Sequence, residues 1–457
     1  MADIQNSSGI TGEQGLLDLS YAESTVEATI VESTLESKSK ASKQVLISCM
    51  IGNALEWYDF VIYGYFAVIL GALFFPNANP LVQILASWGV FWSGFLARPL
   101  GSIVFGHIGD KTSRKYALTL SIYLMAIPTM LMGCLPTYDQ IGITATLLLI
   151  LLRTFQGFAI GGEFTGSMVF LIEHAPQSKR GFWGSWASFS AVLGVVLGST
   201  LVASLNHNFS PDEMKLWGWR IPFIVSILGS FVGGYMRRQL ADPSIYLDVK
   251  TRRKAESVPL KDLFSDHKSK MGMIILLDFL TAIGFFIVAI FMATYFRTYL
   301  KYSEKIAFSI NTFNMCVFAI AILAGGWLSD RFGRKRTLGY PCIGFIILSY
   351  PLFMLLQTGS TYTLLGVQAV FAILMGLFFG TIPATLAEIM PTSVRFSGLS
   401  IAHNISMAIF GGGTPFLATH LIQYTNNLAS PACLLIAASI LSLSSLFFIT
   451  DRYKSSL

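Results

Sequence analysis

Long apolar runs, each broken by a short cluster of charge, proline or glycine, follow one another along nearly the whole chain. A helix needs about 20 residues to cross a bilayer core, and only helices or closed barrels satisfy their backbone there. On that measure the pattern predicts twelve spanning helices. Six fall at residues 45–75, 82–109, 116–136, 141–174, 182–206 and 219–238. Six more fall at 270–298, 306–329, 337–357, 362–390, 397–424 and 430–450. Residues 1–44, rich in Ser, Thr and Glu, read as a disordered cytosolic tail with no cleavable leader. Residues 239–269 are polar, include Arg252, Arg253 and Lys254, and read as a cytosolic linker between two halves, 45–238 and 270–450. Residues 451–457 read as a short cytosolic tail.

Composition sharpens the class. Hydrophobic residues make up 53% of the 457 and charged residues 12%, against about 25% charged in soluble domains. A large soluble core is excluded. The net charge of +6 could signal nucleic acid, but its placement points elsewhere. With both termini in the cytosol, 24 of the 31 Lys and Arg residues fall in cytosolic segments. Five lie at the opposite ends (Lys215, Arg220, Arg297, Lys301, Lys305), and Arg98 and Arg153 lie within spans. That bias is the positive-inside pattern, so the basic excess records orientation and no nucleic-acid partner is expected. The five cysteines show no metal-ligand spacing and read as small apolar residues.

An internal repeat relates the halves. GHIGDKTSRK (Gly106–Lys115) follows the second run and GWLSDRFGRK (Gly326–Lys335) the eighth, both fitting G-x-x-x-D-[KR]-x-x-R-K. After the fourth run come Glu173, Pro176, Ser178 and Arg180; after the tenth, Glu388, Pro391, Ser393 and Arg395 repeat the spacing. Two motif pairs in register describe two six-helix halves related by an axis along the membrane normal. Asp110 and Asp330 can accept backbone N–H bonds, while Arg114 and Arg334, with Arg331 beside them, can reach helix C-termini or Glu173 and Glu388. With Arg180 and Arg395, such loops would latch the cytosolic side in one conformation and release it in another; plain orientation charge is the competing reading.

These loops resemble the signature loops of the major facilitator superfamily, although Ser113 stands where Gly is usual and Lys111 replaces Arg. GNALEWYDF (Gly52–Phe60), RPLGSIVFGHIGD (Arg98–Asp110) and RTFQGFAIGGEFTG (Arg153–Gly166) together resemble its metabolite:proton symporter branch. Within it, EFTGSMVFLIEHAPQSKRGFWGSW (Glu163–Trp186) looks most like proline/betaine transporters. The resemblance implies an all-α membrane protein with twelve transmembrane helices in two pseudo-symmetric bundles, the major facilitator fold. It implies a proton-coupled symporter importing a small zwitterion such as proline or glycine betaine by alternating access. A symporter for citrate, 2-oxoglutarate or shikimate, or a proton-driven metabolite or drug antiporter, is the alternative. The expected setting is the bacterial inner membrane, as a functional monomer whose partners are lipid, a small-molecule substrate and protons. No cofactor is implied beyond the proton gradient, and the short tail after the last run carries no osmosensing coiled coil. No nucleotide loop or HExxH motif argues for an enzyme.

The intramembrane polar residues carry the candidate chemistry. At about 1.5 Å per residue, Glu56, Arg98 and Glu163 reach one level near the bilayer midplane, where a bare charge is costly and pairing or a wet cavity is expected. Secondary transporters bind substrate and coupling ion there. Glu163, then Asp59 or Glu56, are the candidate proton carriers, with Glu56 the expected partner of Arg98. A salt bridge that never titrates is the alternative for each. Trp57, Tyr58, Tyr63 and Tyr65 could hold a quaternary ammonium by cation–π attraction, with Arg98 or Arg153 meeting a carboxylate, although packing also accounts for such rings. Asp278, His403 and Asn404 are the obvious polar groups inside the second half, where mainly apolar substrate packing is expected. Gly157, Gly161, Gly162 and Gly166 predict close helix approach, and Gly411, Gly412, Gly413 and Pro415 a weakened eleventh helix.

Overall fold

A computed structural model describes residues 46–111, 114–173, 175–238, 265–391, 394–451 and 453–454. The N-terminal tail, most of the linker, and the side chains of Asp110 and Arg114 lie outside the described residues. The first half comprises α1 (Leu46–Tyr65, continuing after a 59° bend as Ala67–Phe74), α2 (Pro80–Lys111), α3 (Arg114–Cys134), α4 (Ile143–Glu173), α5 (Arg180–Asn208) and α6 (Arg220–Arg238). The second comprises α7 (Lys268–Thr298), α8 (Glu304–Phe332), α9 (Arg334–Leu356), α10 (Thr361–Ile389), α11 (Arg395–Thr425) and α12 (Pro431–Ser445). Among the described residues, eight helices are long and apolar enough to span a membrane, two bent pairs (α1, and Pro211–Gly218 with α6) qualify as broken spans, and two shorter apolar segments fall in α3 and α12. Together they occupy the twelve predicted positions.

The short connections have local causes. Ser210 and Glu213 form a reciprocal capping box ahead of α6, and the Ser303 hydroxyl accepts from the Ile306 N–H at the start of α8. Gly333, with φ of +93°, ends α8 and turns the chain into α9 within one residue.

Each half contains a close crossing of small residues, at equivalent places. A Cβ on Gly157 of α4 would collide with the Gly94 carbonyl of α2, and one on Gly101 with the Phe158 carbonyl. In the second half a Cβ on Gly380 of α10 would collide with the Ile322 carbonyl of α8. Apolar burial drives little association in lipid, so backbone-to-backbone approach is what packs these helices. The RPLG and RTFQG motifs are thus two faces of one contact.

Helical regularity fails where the halves meet. A π-helical stretch, Phe286–Phe291, interrupts α7, and another, Met407–Gly411, interrupts α11. Such stretches release carbonyls that need partners away from water. Tyr65 Oη (3.2 Å) and Asn311 Nδ2 (3.3 Å) donate to the Ala289 carbonyl. Gln368 Nε2 donates to Val288 (2.8 Å) and Trp92 Nε1 to Ala408 (2.7 Å).

Candidate substrate and coupling site

Between the halves lies an enclosed polar centre. Arg98 of α2 donates from Nε to Asn404 Oδ1 of α11 at 3.0 Å. Asn404 Nδ2 in turn donates to the carbonyls of Gly161 (2.6 Å) and Ser400 (2.8 Å). Thr165 of α4 donates to Ser400 Oγ at 3.0 Å. Glu56 on α1 and Asp278 on α7 act on the Arg98 guanidinium through space. Asp278 Oδ2 lies 2.7 Å from His403 Nδ1, with both side chains wholly buried. Arg98 is therefore stabilised at depth by one amide and two nearby carboxylates, as a buried charge requires.

Aromatic rings wall this centre. Trp57 meets Phe285 edge-on at 4.9 Å and Phe164 at 5.8 Å, and Phe164 lies 5.5 Å from the His403 ring. Phe95 sits 5.3 Å from the Arg98 guanidinium. Among the described residues Trp57 Nε1, Asp278 Oδ1 and His403 Nε2 are buried with no hydrogen-bond partner. Buried polar atoms left so call for a partner, and a ligand held at this centre would supply one.

The halves also touch above and below the centre. At the end bearing the basic loops, Asp330 accepts from the backbone amides of Gly181 (2.7 Å) and Phe182 (2.8 Å), capping α5 from the end of α8. Arg334 binds Asp330 at 2.8 Å and Glu388 through Nε (3.3 Å) and Nη2 (3.0 Å), while Arg180 reaches Glu388 at 3.5 Å. Arg395 joins Glu173 at 3.3 Å and the Ala387 carbonyl at 2.8 Å. At the other end, Tyr65, Asn311 and Trp92 close α1, α8 and α2 onto the irregular turns of α7 and α11. Both layers are made, so the conformation is occluded.

Not every expected residue reaches the centre. Glu163 accepts a 2.9 Å bond from Ser121 of α3, inside the first half. Its Cα follows the Gly161–Gly162 turn, which hands the facing position to Thr165. Asp59 faces Ser226 of α6. Tyr58 donates to the Pro222 carbonyl, also on α6 (2.9 Å). Arg153 is boxed within the first half by Phe60 (3.8 Å), Phe91 (4.7 Å) and Tyr63 (4.8 Å), and bonds Gln156, whose amide donates to the Asp59 carbonyl. Arg331 is exposed beside Trp327 and Phe332 and takes no part in the latch. Along helices of this kind, depth can be counted along the chain but azimuth cannot, so these placements could not be read from the sequence.

Three contributors lay outside sequence reasoning. Asn311 and Trp92 look like ordinary span residues, and only the π-helical turns opposite them create their acceptors. Asp451, in the expected tail, accepts from the Arg334 and Lys335 amides at 3.3 Å and so caps α9.

Two bundles of six helices, closed around an ionic centre, define a polytopic membrane carrier. The Major Facilitator Superfamily model matches residues 49–415 and 274–456, and the chain belongs to that superfamily. Curated relatives include the glycine betaine/proline/ectoine/pipecolic acid transporter OusA of Dickeya dadantii (strain 3937), 33% identical over 90% of this chain and 83% of its own. The proline/betaine transporter of Escherichia coli (strain K12) is 33% identical over 88% and 82%. A putative proline/betaine transporter of Staphylococcus haemolyticus (strain JCSC1435) is 36% identical over 88% and 86%. Among solved structures, the proton:xylose symporter XylE bound to 6-bromo-6-deoxy-D-glucose superposes with a TM-score of 0.76 at 15% identity, covering 92% of this chain and 98% of that one. A partially occluded inward-open form of XylE from E. coli gives 0.71 at 14%, covering 92% and 100%.

Proposed function

We propose that this protein is a proton-coupled symporter that imports a small zwitterion, proline or glycine betaine, by alternating access. The observation that carries the reading is the centre itself, one guanidinium beside aromatic rings and carboxylates, in a chain at least 33% identical to relatives named for those substrates. Arg98 would meet the substrate carboxylate, Asn404 would orient Arg98, and Trp57 with its neighbouring rings would hold the ammonium. Asp330, Arg334, Glu388, Arg180, Arg395 and Glu173 would form the gate at the basic end, which the positive-inside bias assigns to the cytosol. The setting we propose is the bacterial inner membrane, with both termini cytosolic and one chain as the working unit.

The test is uptake of labelled proline and glycine betaine into proteoliposomes under an imposed pH gradient. Accumulation abolished by a protonophore, with counterflow retained, is expected. Saturable transport that runs only outward, or accumulation indifferent to the gradient, contradicts symport.

A further inference from the structure

The second half contains a fully buried acid–imidazole pair that the expected proton path, drawn through the first half, leaves unused. A carboxylate can only accept, so the 2.7 Å contact places a proton on His403 Nδ1 and leaves the Nε2 lone pair open in the neutral ring. Neither His403 Nε2 nor Asp278 Oδ1 has a hydrogen-bond partner among the described residues. The charged groups facing the pair are Arg98 on α2, which feels Asp278, and Glu56 on α1, which acts on Arg98 in turn. α4 presents the Phe164 ring to His403, and Ser442 of α12 is occupied with the α7 backbone at Leu277 and Leu280.

We propose that the Asp278–His403 pair is the proton-coupling element, acting on the substrate through Arg98. With both carboxylates ionised and His403 neutral, Arg98, Glu56, Asp278 and His403 sum to one net negative charge. A proton added to the Nε2 lone pair forms an imidazolium against the Asp278 carboxylate, and the sum falls to zero. Asp278 is then neutralised by its own partner and draws less on Arg98, which turns its field to the carboxylate of an arriving zwitterion. Substrate release returns Arg98 to Asp278, and the Nε2 proton departs to the same side. No bond other than N–H is made or broken. The carboxylate and the imidazole are in direct contact at 2.7 Å, so the coupling belongs to the pair rather than to either residue. Ser121 donates to Glu163 within the first half, and Asp59 faces Ser226 there.

The inference rests on the symport reading, and the experiment separates the two. Purified protein labelled with 15N-histidine is titrated without substrate, the His403 signal being identified by its loss in His403→Gln. A pH-dependent change in that signal, altered in Asp278→Asn, is expected; a signal that does not move with pH overturns the pair whatever the substrate. In proteoliposomes a gradient of one pH unit, about 1.4 kcal/mol per proton, supports about tenfold accumulation at one proton per substrate. Asp278→Asn and His403→Gln should collapse that ratio to about one and abolish substrate-induced proton uptake, while counterflow survives at reduced rate. Asp278→Glu should restore part of the ratio. Undiminished accumulation in both pair variants, or its loss in Glu163→Gln or Asp59→Asn alone, overturns the inference. A wild-type protein with no zwitterion counterflow removes the symport reading instead, and the histidine titration still decides the pair.

Discussion

The phenol of Tyr65 donates to the backbone carbonyl of Ala289, joining the bend of α1 to the π-helical turn of α7 at 3.2 Å. These are the first helices of the two halves, and each loses its regularity where they meet. Asn311 shares the same acceptor, so one carbonyl draws three helices together at the end away from the basic loops.

Tyr65→Phe removes the bond to Ala289 and the one the phenol accepts from Asn311 Nδ2 (3.2 Å). Asn311 Nδ2 and the Ala289 carbonyl keep each other, which limits the net loss. The loss is about 1 kcal/mol, or roughly fivefold in the ratio of closed to open forms at that end. Spin labels on Asn77→Cys and Lys301→Cys in a cysteine-free background should report a longer-distance population increased by that factor. An unchanged distance distribution would remove the gate.

Glu388→Gln acts at the opposite end and in the opposite sense. It leaves the buried Arg334 and Arg180 without their shared carboxylate, a loss that costs about 3–5 kcal/mol when one member of a buried pair is removed. Only the state closed at the basic end bears that cost, so the equilibrium moves to the state open there. Labels on Ser178→Cys and Arg336→Cys should move apart, while those at the Tyr65 end close.

Much of this was legible beforehand, and the division has a physical basis. Twelve apolar runs, the two copied loops and the basic asymmetry are one-dimensional signals, and the latch of Asp330, Arg334 and Glu388 followed from them. Approximate depth could be counted, since rise per residue is fixed. Azimuth could not: Glu163 and Thr165 are two residues apart, yet one faces Ser121 and the other Ser400. Nor could counting foresee π-helical turns, which rotate every later side chain and create acceptors such as Ala289 and Ala408. Counting could not pair Asp278 with His403 either, which are 125 residues apart and each unremarkable until the fold brings them together.

The α2–α4 crossing predicts a contrast among glycines. Gly157→Ala and Gly380→Ala force a methyl against backbone, an overpacking worth about 1–3 kcal/mol or more, because carbonyls cannot repack as side chains do. A Cβ on Gly89, also in α2, meets nothing within 4 Å, so Gly89→Ala should stabilise by about 0.5–1 kcal/mol through helix propensity. Melting temperatures in detergent should fall for the first two and rise for the third.

Asp451→Ala removes the acceptor for the first two amides of α9 and should cost about 1 kcal/mol, the usual worth of an N-cap. Asp451→Asn keeps an oxygen and should lose less. Because α9 begins with Arg334, the weakened helix start should also loosen the latch, so both the melting temperature and the Ser178–Arg336 label distance should respond. A fall in stability with no change in that distance would confine Asp451 to capping.

The centre predicts different sensitivities for two zwitterions. Glycine betaine carries a quaternary nitrogen with no N–H, so its cationic end depends on ring faces; proline keeps N–H donors that a carboxylate can accept. Trp57→Leu removes a ring at the centre and, at about 0.5–2 kcal/mol, should raise the betaine KM severalfold while moving that of proline less. Glu56→Gln should do the reverse. Arg98→Lys replaces a planar fork by a point charge and loses the Nε donor to Asn404, so both substrates should weaken by roughly tenfold or more. Competition assays with each variant check the pattern. Equal effects of Trp57→Leu and Glu56→Gln on both substrates would place the cationic end away from this wall of the centre.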